Sequence, residues 1–537
     1  MRLWAPAADL AEIVVGDSRV RLTKVDRHHH VADWEPEPGT DYQVSLDGGE
    51  PIPDPRSPFQ PDGVNGPSRV VDHLGYPWSD HQWKGVSWPA SAIYELHVGT
   101  FTLEGTFAAA EAKFDHLIRL GIDVIEIMPV AEFPGRWGWG YDGVHLWAPR
   151  SAYGGPEGLK HFVDVAHGRG LAVILDVVYN HLGPIGNRLG EFGPYFTDVY
   201  TTPWGEAVNL DGSGCDGVRA HICENAQMWI RDYHLDGLRL DAVHEFLDTS
   251  ANHILEELAG AVHWEGAKAG RSVVLIAESD KNDPHLVSDP QVGGFGLDAV
   301  WSDDFHHSLH ALLTGERSGY YSDYGEAEDL AAAWAQNWTY DGCYSPARDR
   351  RHGRPAEHLD PAHFVVFLQN HDQIGNRARG ERISQQSGLA AQRLGAAVTL
   401  LAPQVPLIFQ GEEWGAITPF PYFTDHKDPA LAAAVTEGRQ REFKAFGWDP
   451  SDVADPQDER TFRSAVLDWE GLDQEPHGEM LAFYSGLIAQ RRSLPRSSAG
   501  SAQAEVSGPH GQRLVFTRPG VMLAVDFSDQ SVEIRGD

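Results

Sequence analysis

The sequence predicts an α/β protein built around a (β/α)8 barrel, preceded by a β-sandwich and followed by a small antiparallel β domain. Three observations predict this fold. Strand-like runs separated by turns fill the first 50 residues, apolar runs alternate with helical patterns from about residue 90, and strand-like runs return after Pro495. Near-continuous apolar strands separated by helices are typical of a parallel sheet covered on both faces.

Residues 1–88 are predicted to form the β-sandwich and a linker. Runs such as LAEIVVG and YQVSLDGG, spaced by turns, are typical of short strands. Residues 51–72 are dense in Pro and Gly, which indicates an ordered linker. We expect this domain to pack against the barrel. A role as a carbohydrate-binding module is the alternative, although its aromatic residues are too few to define a binding face.

Residues 89–495 are predicted to form the barrel, because they contain eight apolar runs, the number of strands that the fold requires. The pattern at 478–493 predicts the last helix that packs on it. Residues 496–537 are predicted to form the C-terminal β domain, from the runs QRLVFTRP, GVMLAVDFSD and SVEIRG. The predicted barrel strands are 92–98, 124–130, 171–178, 237–243, 273–278, 297–302, 364–369 and 405–410.

The composition argues against several classes of protein. A formal charge of −36 disfavours nucleic acid or an anionic membrane as a partner and fits a neutral substrate. No apolar run predicts a transmembrane helix, and the first residues do not resemble a signal peptide, so a cytoplasmic protein is expected. The three cysteines lack metal-type spacing, and the RHHH run at 27–30 cannot turn all its histidines to one ion, so no metal site is expected.

Polar side chains follow four of the predicted barrel strands. The third strand ends in DVVYNH, the fourth in GLRLDAVH, the fifth in LIAESD and the seventh in FLQNHDQ. Working groups of such barrels lie at the carboxyl ends of the strands, so these four ends are expected to converge. They carry Asp176, Asn180, His181, Arg239, Asp241, His244, Glu278, Asn370, His371 and Asp372.

Two full charges share one face of the fourth strand, because side chains alternate along a strand and Arg239 lies two residues before Asp241. A neighbouring cation favours an ionised carboxylate, so Asp241 is expected to be charged. Glu278 leaves an apolar strand and is expected to stay protonated. One anionic and one protonated carboxyl are the equipment of a retaining glycosidase, with Asp372 placed to hold sugar hydroxyls.

Each of these residues also has a structural interpretation. A lone Arg-x-Asp at a strand end is most often an ion pair, and His181 alone could be a core histidine. Asp176 and Asn180 could be ordinary hydrogen-bonding residues of the barrel rim. The occurrence of four such ends in order on one barrel favours the catalytic interpretation.

The four strand ends resemble, in order, the signature segments of the α-amylase family of glycoside hydrolases. This resemblance implies Asp241 as nucleophile, Glu278 as acid/base and Asp372 as stabiliser, without a cofactor. It implies that the aromatic of WGWGYDGV stacks under the reacting sugar, whereas Trp137 and Trp147 are equally compatible with core packing. The substrate-binding set that we expect around the trio is Tyr141, His181, Arg239, His244 and His371.

Within the family, an N-terminal domain opening with LWAPAA is similar to isoamylases, branching enzymes and trehalohydrolases. YELHVGTFTLEGTF, PVAEFPGRWGWGYDGV, WSDDFHHSLHALLTGE and FQGEEWGAITPFPYFTDH resemble the trehalohydrolases in particular. That resemblance implies hydrolysis of the α-1,4 bond between trehalose and a maltooligosaccharide, and functional coupling to maltooligosyltrehalose synthase. Val243 stands where many amylases carry Lys, which argues against an amylase-type subsite contact and calcium site.

Specificity is expected from residues that follow strands five, six and eight, because a site with directed partners for many hydroxyls discriminates strongly. Asp303 and Asp304 could equally cap the next helix. A branching or debranching enzyme of the same family is the nearest alternative function. A catalytically dead glycan- or partner-binding barrel is a second, which the intact trio disfavours. The candidates are Asp280, Asp303, Asp304, Glu413, Trp414 and Phe420.

Overall fold

A computed structural model of the chain describes residues 1–444, 448–449, 453–472, 474–508 and 512–536. Its N-terminal part is antiparallel β structure, as predicted, with the strands joined in the order β1-β4-β3-β2-β5-β6. Strand β3 is shared, since its first five residues pair with β2 and its last two residues pair with β4. These strands are β1 (Arg2–Trp4), β2 (Ala11–Val15), β3 (Ser18–Lys24), β4 (His29–Val31), β5 (Asp41–Leu46) and β6 (Ser68–Arg69).

The N-terminal sheet packs on the barrel. Trp4 meets the ring of Tyr195 edge-on, with centroids 5.1 Å apart. It also lies against the backbone of Gly217, where a Cβ atom would come within 2.0 Å of the Trp4 ring. Glycine at this helix position therefore permits the close approach of the two parts.

The central strands form the predicted closed barrel, in the order β11-β14-β15-β16-β19-β20-β7-β8, and all their neighbouring pairs are parallel. Each of the eight predicted apolar runs contains one barrel strand. The strands after β6 are β7 (Ile93–Leu96), β8 (Val124–Ile127), β9 (Ala131–Glu132), β10 (His145–Pro149), β11 (Ala172–Val177), β12 (Phe196–Thr202), β13 (Gly205–Val208), β14 (Gly237–Leu240), β15 (Val274–Ala277), β16 (Ala299–Trp301), β17 (Asp341–Ser345), β18 (Arg350–Gly353), β19 (Phe364–Phe367) and β20 (Val405–Phe409).

Helices cover the outside of the barrel, except that two 3-10 turns, Pro284–Leu286 and Pro290–Val292, take the place of the helix between β15 and β16. The predicted last helix is α14. The helices are α1 (Val98–Phe101), α2 (Phe107–Glu111), α3 (Phe114–Leu120), α4 (Gly155–Gly168), α5 (Leu189–Phe192), α6 (Cys215–Asp232), α7 (Ile254–Ala269), α8 (Asp303–Thr314), α9 (Ala327–Gln336), α10 (His371–Gly375), α11 (Ile383–Leu400), α12 (Pro429–Lys444), α13 (Glu459–Ser464) and α14 (His477–Ser493).

The interior of the barrel is divided into an apolar lower part and a charged upper part. A cluster of buried apolar side chains fills the lower part, and Trp301 forms part of its top. Above it, the inward positions carry Glu95, Glu126 and Arg239, each less than 2% exposed. The apolar layer consists mainly of Ile93, Val124, Ala172, Ile174, Val274, Ile276, Ala299, Val365, Phe367, Val405 and Leu407.

Two hairpins are inserted in the loops at the carboxyl ends of the strands. One is formed by β12 and β13, and the other by β17 and β18. Both are antiparallel two-stranded ribbons outside the barrel sheet. Such inserted loops are where barrels of this kind build their binding surfaces.

The C-terminal sheet has four antiparallel strands, ordered β21-β22-β23-β24. The last three match the predicted runs, and β21 is an additional strand on the edge. Arg518 fastens the sheet to the barrel, because its guanidinium donates to the carbonyls of Ala402 (2.6 Å) and Pro495 (3.0 Å). The strands are β21 (Gln503–Ser507), β22 (Arg513–Arg518), β23 (Val521–Asp526) and β24 (Ser531–Gly536).

Candidate active site

Arg239 is the centre of a buried group of three carboxylates. It lies on the inner face of β14, and its side chain is fully buried. Nη1 donates to Asp176 Oδ2 at 2.6 Å and to Asp241 Oδ1 at 3.1 Å, and Nη2 lies 2.8 Å from Glu278 Oε2. The guanidinium rests on the ring of Trp301, 4.1 Å from its centroid. One cation thus contacts carboxylates from strands three, four and five, whereas the sequence paired it with Asp241 alone.

The backbone after Asp241 takes an uncommon conformation. Ala242 has φ = 41° and ψ = 54°, in the left-handed region that costs a residue with a side chain about 1–2 kcal/mol. This turn points the Ala242 N–H at Glu278 Oε2, 2.8 Å away. Asn180 donates through Nδ2 to Asp241 Oδ2 at 2.7 Å. The strained turn therefore fixes the two carboxyl groups relative to one another.

Tyr141 and His371 extend this network across the mouth of the barrel. The Tyr141 hydroxyl lies 2.6 Å from Asp176 Oδ2 and 2.7 Å from His371 Nε2, and the two rings stack with centroids 5.3 Å apart. The other ring nitrogen, Nδ1, contacts Glu95, which also accepts from the His371 N–H at 3.0 Å. Burial disfavours the imidazolium, but Glu95 and Asp372 outweigh it and raise the pKa of His371 to about 9.

The pKa of the Asp176 carboxyl lies far above that of an ordinary aspartate. Burial raises its pKa to about 7, with Asp241 adding to the rise and Arg239 opposing it. The group therefore changes charge near neutral pH, within contact of Arg239 and Tyr141. Perturbed carboxyl groups of this kind cluster at functional sites.

His181 lies beneath an exposed tryptophan. Its Nε2–H donates to the Tyr141 carbonyl at 3.0 Å. Tyr141 is therefore bound at both ends, by His181 at its main chain and by His371 at its hydroxyl. Trp204, at the tip of the β12–β13 hairpin, stacks on His181 with ring centroids 4.5 Å apart and stays half exposed. An aromatic face of this type suits the apolar side of a sugar ring.

Two further aspartates border the cleft. Asp372 lies 3.7 Å from His371 Nε2 and keeps about a third of its side chain exposed. Asp303 accepts a hydrogen bond from Gln373 at 3.3 Å. Burial raises the pKa of Asp303 well above its usual value, and the negative charges of Glu278, Asp280 and Asp372 raise it further. A protonated Asp303 can donate a hydrogen bond as well as accept one.

Asp280 and His244 lie on the rim. The Asp280 carboxylate is half exposed, 3.6 Å from Arg348, and its carbonyl accepts from His352 of the second hairpin at 2.7 Å. His244 is partly buried, and its carbonyl accepts from Lys281 at 3.0 Å.

Four of the expected subsite residues are instead buried in structural contacts. Asp304 is 2% exposed and accepts from Asn282, Tyr324 and the amides of Thr339 and Tyr340, so it neither faces the cleft nor caps α8. The other three are the residues expected after strand eight, Glu413, Trp414 and Phe420.

Glu413 has no exposed surface and accepts from Tyr94 (3.0 Å) and His116 (2.7 Å), outside the barrel wall. Trp414 packs on His116 and on other aromatic rings, at 2% exposure. Phe420 is fully buried and stacks behind Trp139, 5.2 Å away. All three side chains are buried against other side chains of the protein, so the expectation that they contact substrate is wrong.

The structure adds Glu95, Glu126, Trp204 and Trp301 to the residues around the site. Glu95 and Glu126 are register partners on β7 and β8, so both point into the barrel. The sequence signal for both was a single Glu inside each of the apolar runs YELHV and VIEIMPV. Alternation of side chains along a strand, which identified Arg239, could have placed these residues inside the barrel. Trp137 stacks on Phe462 and Trp147 lies by His221, which assigns both to packing.

Within the part of the chain that the structure describes, no group of three or more His, Cys, Asp or Glu side chains is arranged to hold a metal ion. Among the same residues, no helix is both long and apolar enough to cross a bilayer.

The chain is similar to proteins of known type. A family model for the alpha amylase catalytic domain matches residues 76–187. Malto-oligosyltrehalose trehalohydrolases are similar over most of their length: that of Arthrobacter ramosus is 49% identical, over 92% of this chain and 87% of the relative, and that of Saccharolobus solfataricus is 46% identical, over 84% and 78%. A branching enzyme of Salinibacter ruber is 29% identical over 64% of this chain and 62% of its own.

Solved structures are similar to this chain in fold. A Salmonella typhimurium protein described as an alpha amylase has a TM-score of 0.90 and 39% identity, covering 98% of this chain and 90% of the other. A Bacillus subtilis pullulanase with a TM-score of 0.71 and 17% identity, covering 98% and 77%, shares the fold alone. The chain therefore belongs to the malto-oligosyltrehalose trehalohydrolases of the α-amylase family.

Proposed function

We propose that the protein hydrolyses the α-1,4 bond that joins trehalose to the maltooligosaccharide in maltooligosyltrehalose, with retention of configuration. The observation that carries the chemistry is the contact of Arg239 with Asp241 and Glu278 at the mouth of the barrel. The similarity to curated trehalohydrolases supports the choice of substrate. The branching or debranching alternative has weaker support, because the branching relative is much less similar.

The reaction begins with the two carboxyl groups. The Asp241 carboxylate attacks the anomeric carbon of the malto-chain while Glu278 gives a proton to the glycosidic oxygen, so trehalose leaves and a glycosyl ester forms on Asp241. Arg239 and the Ala242 amide both engage Oε2 of Glu278, which leaves Oε1 to carry that proton. Glu278 then takes a proton from a water molecule as the water oxygen attacks the anomeric carbon, which breaks the ester bond, releases the malto-chain and frees the Asp241 carboxylate.

The remaining residues bind and orient the sugar. Tyr141 lies under the reacting sugar ring. When the sugar binds, His181 and His371 give up their hydrogen bonds to Tyr141 and donate to the hydroxyls of the sugar. Asp372 holds hydroxyls whose bonds strengthen in the oxocarbenium-like transition state. Trp204 stacks on His181 and Asp303 accepts a hydrogen bond from Gln373, and we assign both, with the rim residues Asp280 and His244, to neighbouring sugars.

We propose that residues 1–88, 89–495 and 496–537 are the three domains, with catalysis confined to the second. We also propose that the enzyme works in the cytoplasm, directly after a maltooligosyltrehalose synthase. The proposed product of that synthase is this enzyme's substrate, so the two activities are functionally coupled.

Product analysis tests the function. Purified protein would be incubated separately with maltotriosyltrehalose and maltopentaose, with the Asp241→Asn variant as the inactive control. Trehalose plus maltotriose from the first substrate, with little cleavage of the second, is expected. Faster cleavage of maltopentaose would assign an amylase-like activity, and transfer products of higher mass would assign a branching-type activity.

A further inference from the structure

Resting on the proposed function, we propose that Glu95 is a positioning residue that keeps His371 in its doubly protonated form and so sets the alkaline limit of kcat/KM. Glu95 lies on the first barrel strand, behind the residues that touch the sugar. It acts through His371 and makes no contact with substrate itself.

Glu95 contacts both the main chain and the ring of His371. Glu95 is 1% exposed, and its two carboxylate oxygens are used separately. Oε2 accepts from the His371 main-chain N–H at 3.0 Å, and Oε1 contacts ring nitrogen Nδ1. The Glu95 backbone is in turn fixed by the barrel ladder, where its carbonyl accepts from the Gln410 amide at 2.9 Å.

The direction of the hydrogen bonds requires protons on both ring nitrogens. Asp176 Oδ2 already accepts from Arg239, so the Tyr141 hydroxyl donates its only proton to that oxygen. The Tyr141 oxygen then accepts from His371 Nε2–H, 2.7 Å away. Since Nδ1–H faces Glu95, His371 is an imidazolium with a donor at each end.

Glu126 provides a natural comparison within the same barrel. It is the register partner of Glu95, equally buried, yet neither of its carboxyl oxygens has a hydrogen-bond partner. Burial raises the pKa of Glu126 well above its usual value, and Glu95 raises it further. Glu126 makes no hydrogen bond to His371, so the carboxyl group that pairs with the imidazolium is that of Glu95.

Other charged groups also face His371 and bear on its proton. Asp372 favours the imidazolium and Arg239 opposes it. Neutral groups contribute hydrogen bonds or packing, and the rings of Trp139 and Trp301 exclude water. The titratable and charged groups around the ring are Glu95, Glu126, His97, Tyr141, Asp176, Arg239 and Asp372.

The test compares pH profiles of kcat/KM for the full-length enzyme and three variants. Glu95→Gln keeps the shape of the side chain and removes its charge, Glu126→Gln is the matched buried control, and His371→Asn removes the titrating ring. Wild type is expected to lose activity above pH 9, as the imidazolium deprotonates. Because an adjacent opposite charge shifts a pKa by about 1–3 units, Glu95→Gln should move this limb down by about that amount.

The outcomes separate the inference from the assigned substrate. Profiles are measured on whichever α-glucan substrate the wild type cleaves, so a different substrate would overturn the proposed function and leave this test intact. A shift in Glu95→Gln but not in Glu126→Gln, with no limb at the wild-type pH in His371→Asn, supports the role of Glu95. An unmoved limb in Glu95→Gln, an equal shift in both glutamine variants, or a limb at the wild-type pH in His371→Asn would overturn it.

Discussion

Replacing Arg239 with leucine should be costly for both stability and catalysis, and the contacts allow the cost to be estimated. The guanidinium is fully buried, donates to Asp176 and Asp241, and lies 2.8 Å from Glu278. Removing one member of a buried ion pair costs about 3–5 kcal/mol, because the remaining charge is left without a partner. If the same free energy is lost from the transition state, kcat/KM falls roughly 10²- to 10⁴-fold.

The cost of Arg239→Leu should depend on pH. Burial raises the pKa of Asp176 to about 7, above the value in the unfolded chain, so its ionisation opposes folding as the pH rises through 7. The loss of Arg239 should therefore be larger at about pH 8 than at about pH 5.5, where Asp176 is protonated.

Urea unfolding at the two pH values, followed by tryptophan fluorescence, and trehalose release from maltotriosyltrehalose measure the two effects. Arg239→Lys is the matched control, since it keeps a charge but lacks the planar fork, and it should lose less stability. Wild-type stability of Arg239→Leu at about pH 8, or activity within tenfold of wild type, would refute the central role of this residue.

Three further predictions follow from the contacts described above. Trp204→Ala should raise KM roughly tenfold with little change in kcat, because it removes a surface on which a sugar ring stacks. Trp264→Ala, at an exposed tryptophan on α7, should leave both constants unchanged, and equal effects of the two variants would contradict the assignment of Trp204 to a sugar subsite. The acid limb of kcat/KM should lie near pH 7 as protonation of Asp176 weakens its bond to Arg239, and Asp176→Asn should abolish that limb in the same pH titration. Trp414→Ala should lower the free energy of unfolding by about 3–5 kcal/mol without raising KM, and a raised KM at unchanged stability would restore its subsite assignment.

The barrel could be predicted because its strands are nearly uninterrupted apolar runs of the right length. Strand β21 was missed, since QAEVS is short and mostly polar on the edge of its sheet. The connection between β15 and β16 was expected to be helical, but proline starts each of its 3-10 turns. Local sequence therefore determined the central elements better than the irregular ones.

The site was predictable where position on a strand decides function. Arg239, Asp241 and Glu278 follow from alternation and from the convergence of strand ends. Glu413 was misplaced because its partners, Tyr94 and His116, lie about three hundred residues away along the chain. Glu95 was overlooked for the same reason, since its partner His371 lies just after the seventh barrel strand, 276 residues away along the chain.

The two hairpins that border the cleft have a consequence for how selectivity can change. The reacting carboxyl groups lie directly after barrel strands. Trp204 instead lies on the β12–β13 ribbon, and the β17–β18 ribbon contacts the rim through His352. The two strands of each ribbon pair only with one another, so the sequence of a ribbon can change without disturbing the hydrogen bonds of the barrel sheet. Recombination of these ribbons between related enzymes would therefore exchange the sugars accepted while the reaction at the anomeric carbon stays the same.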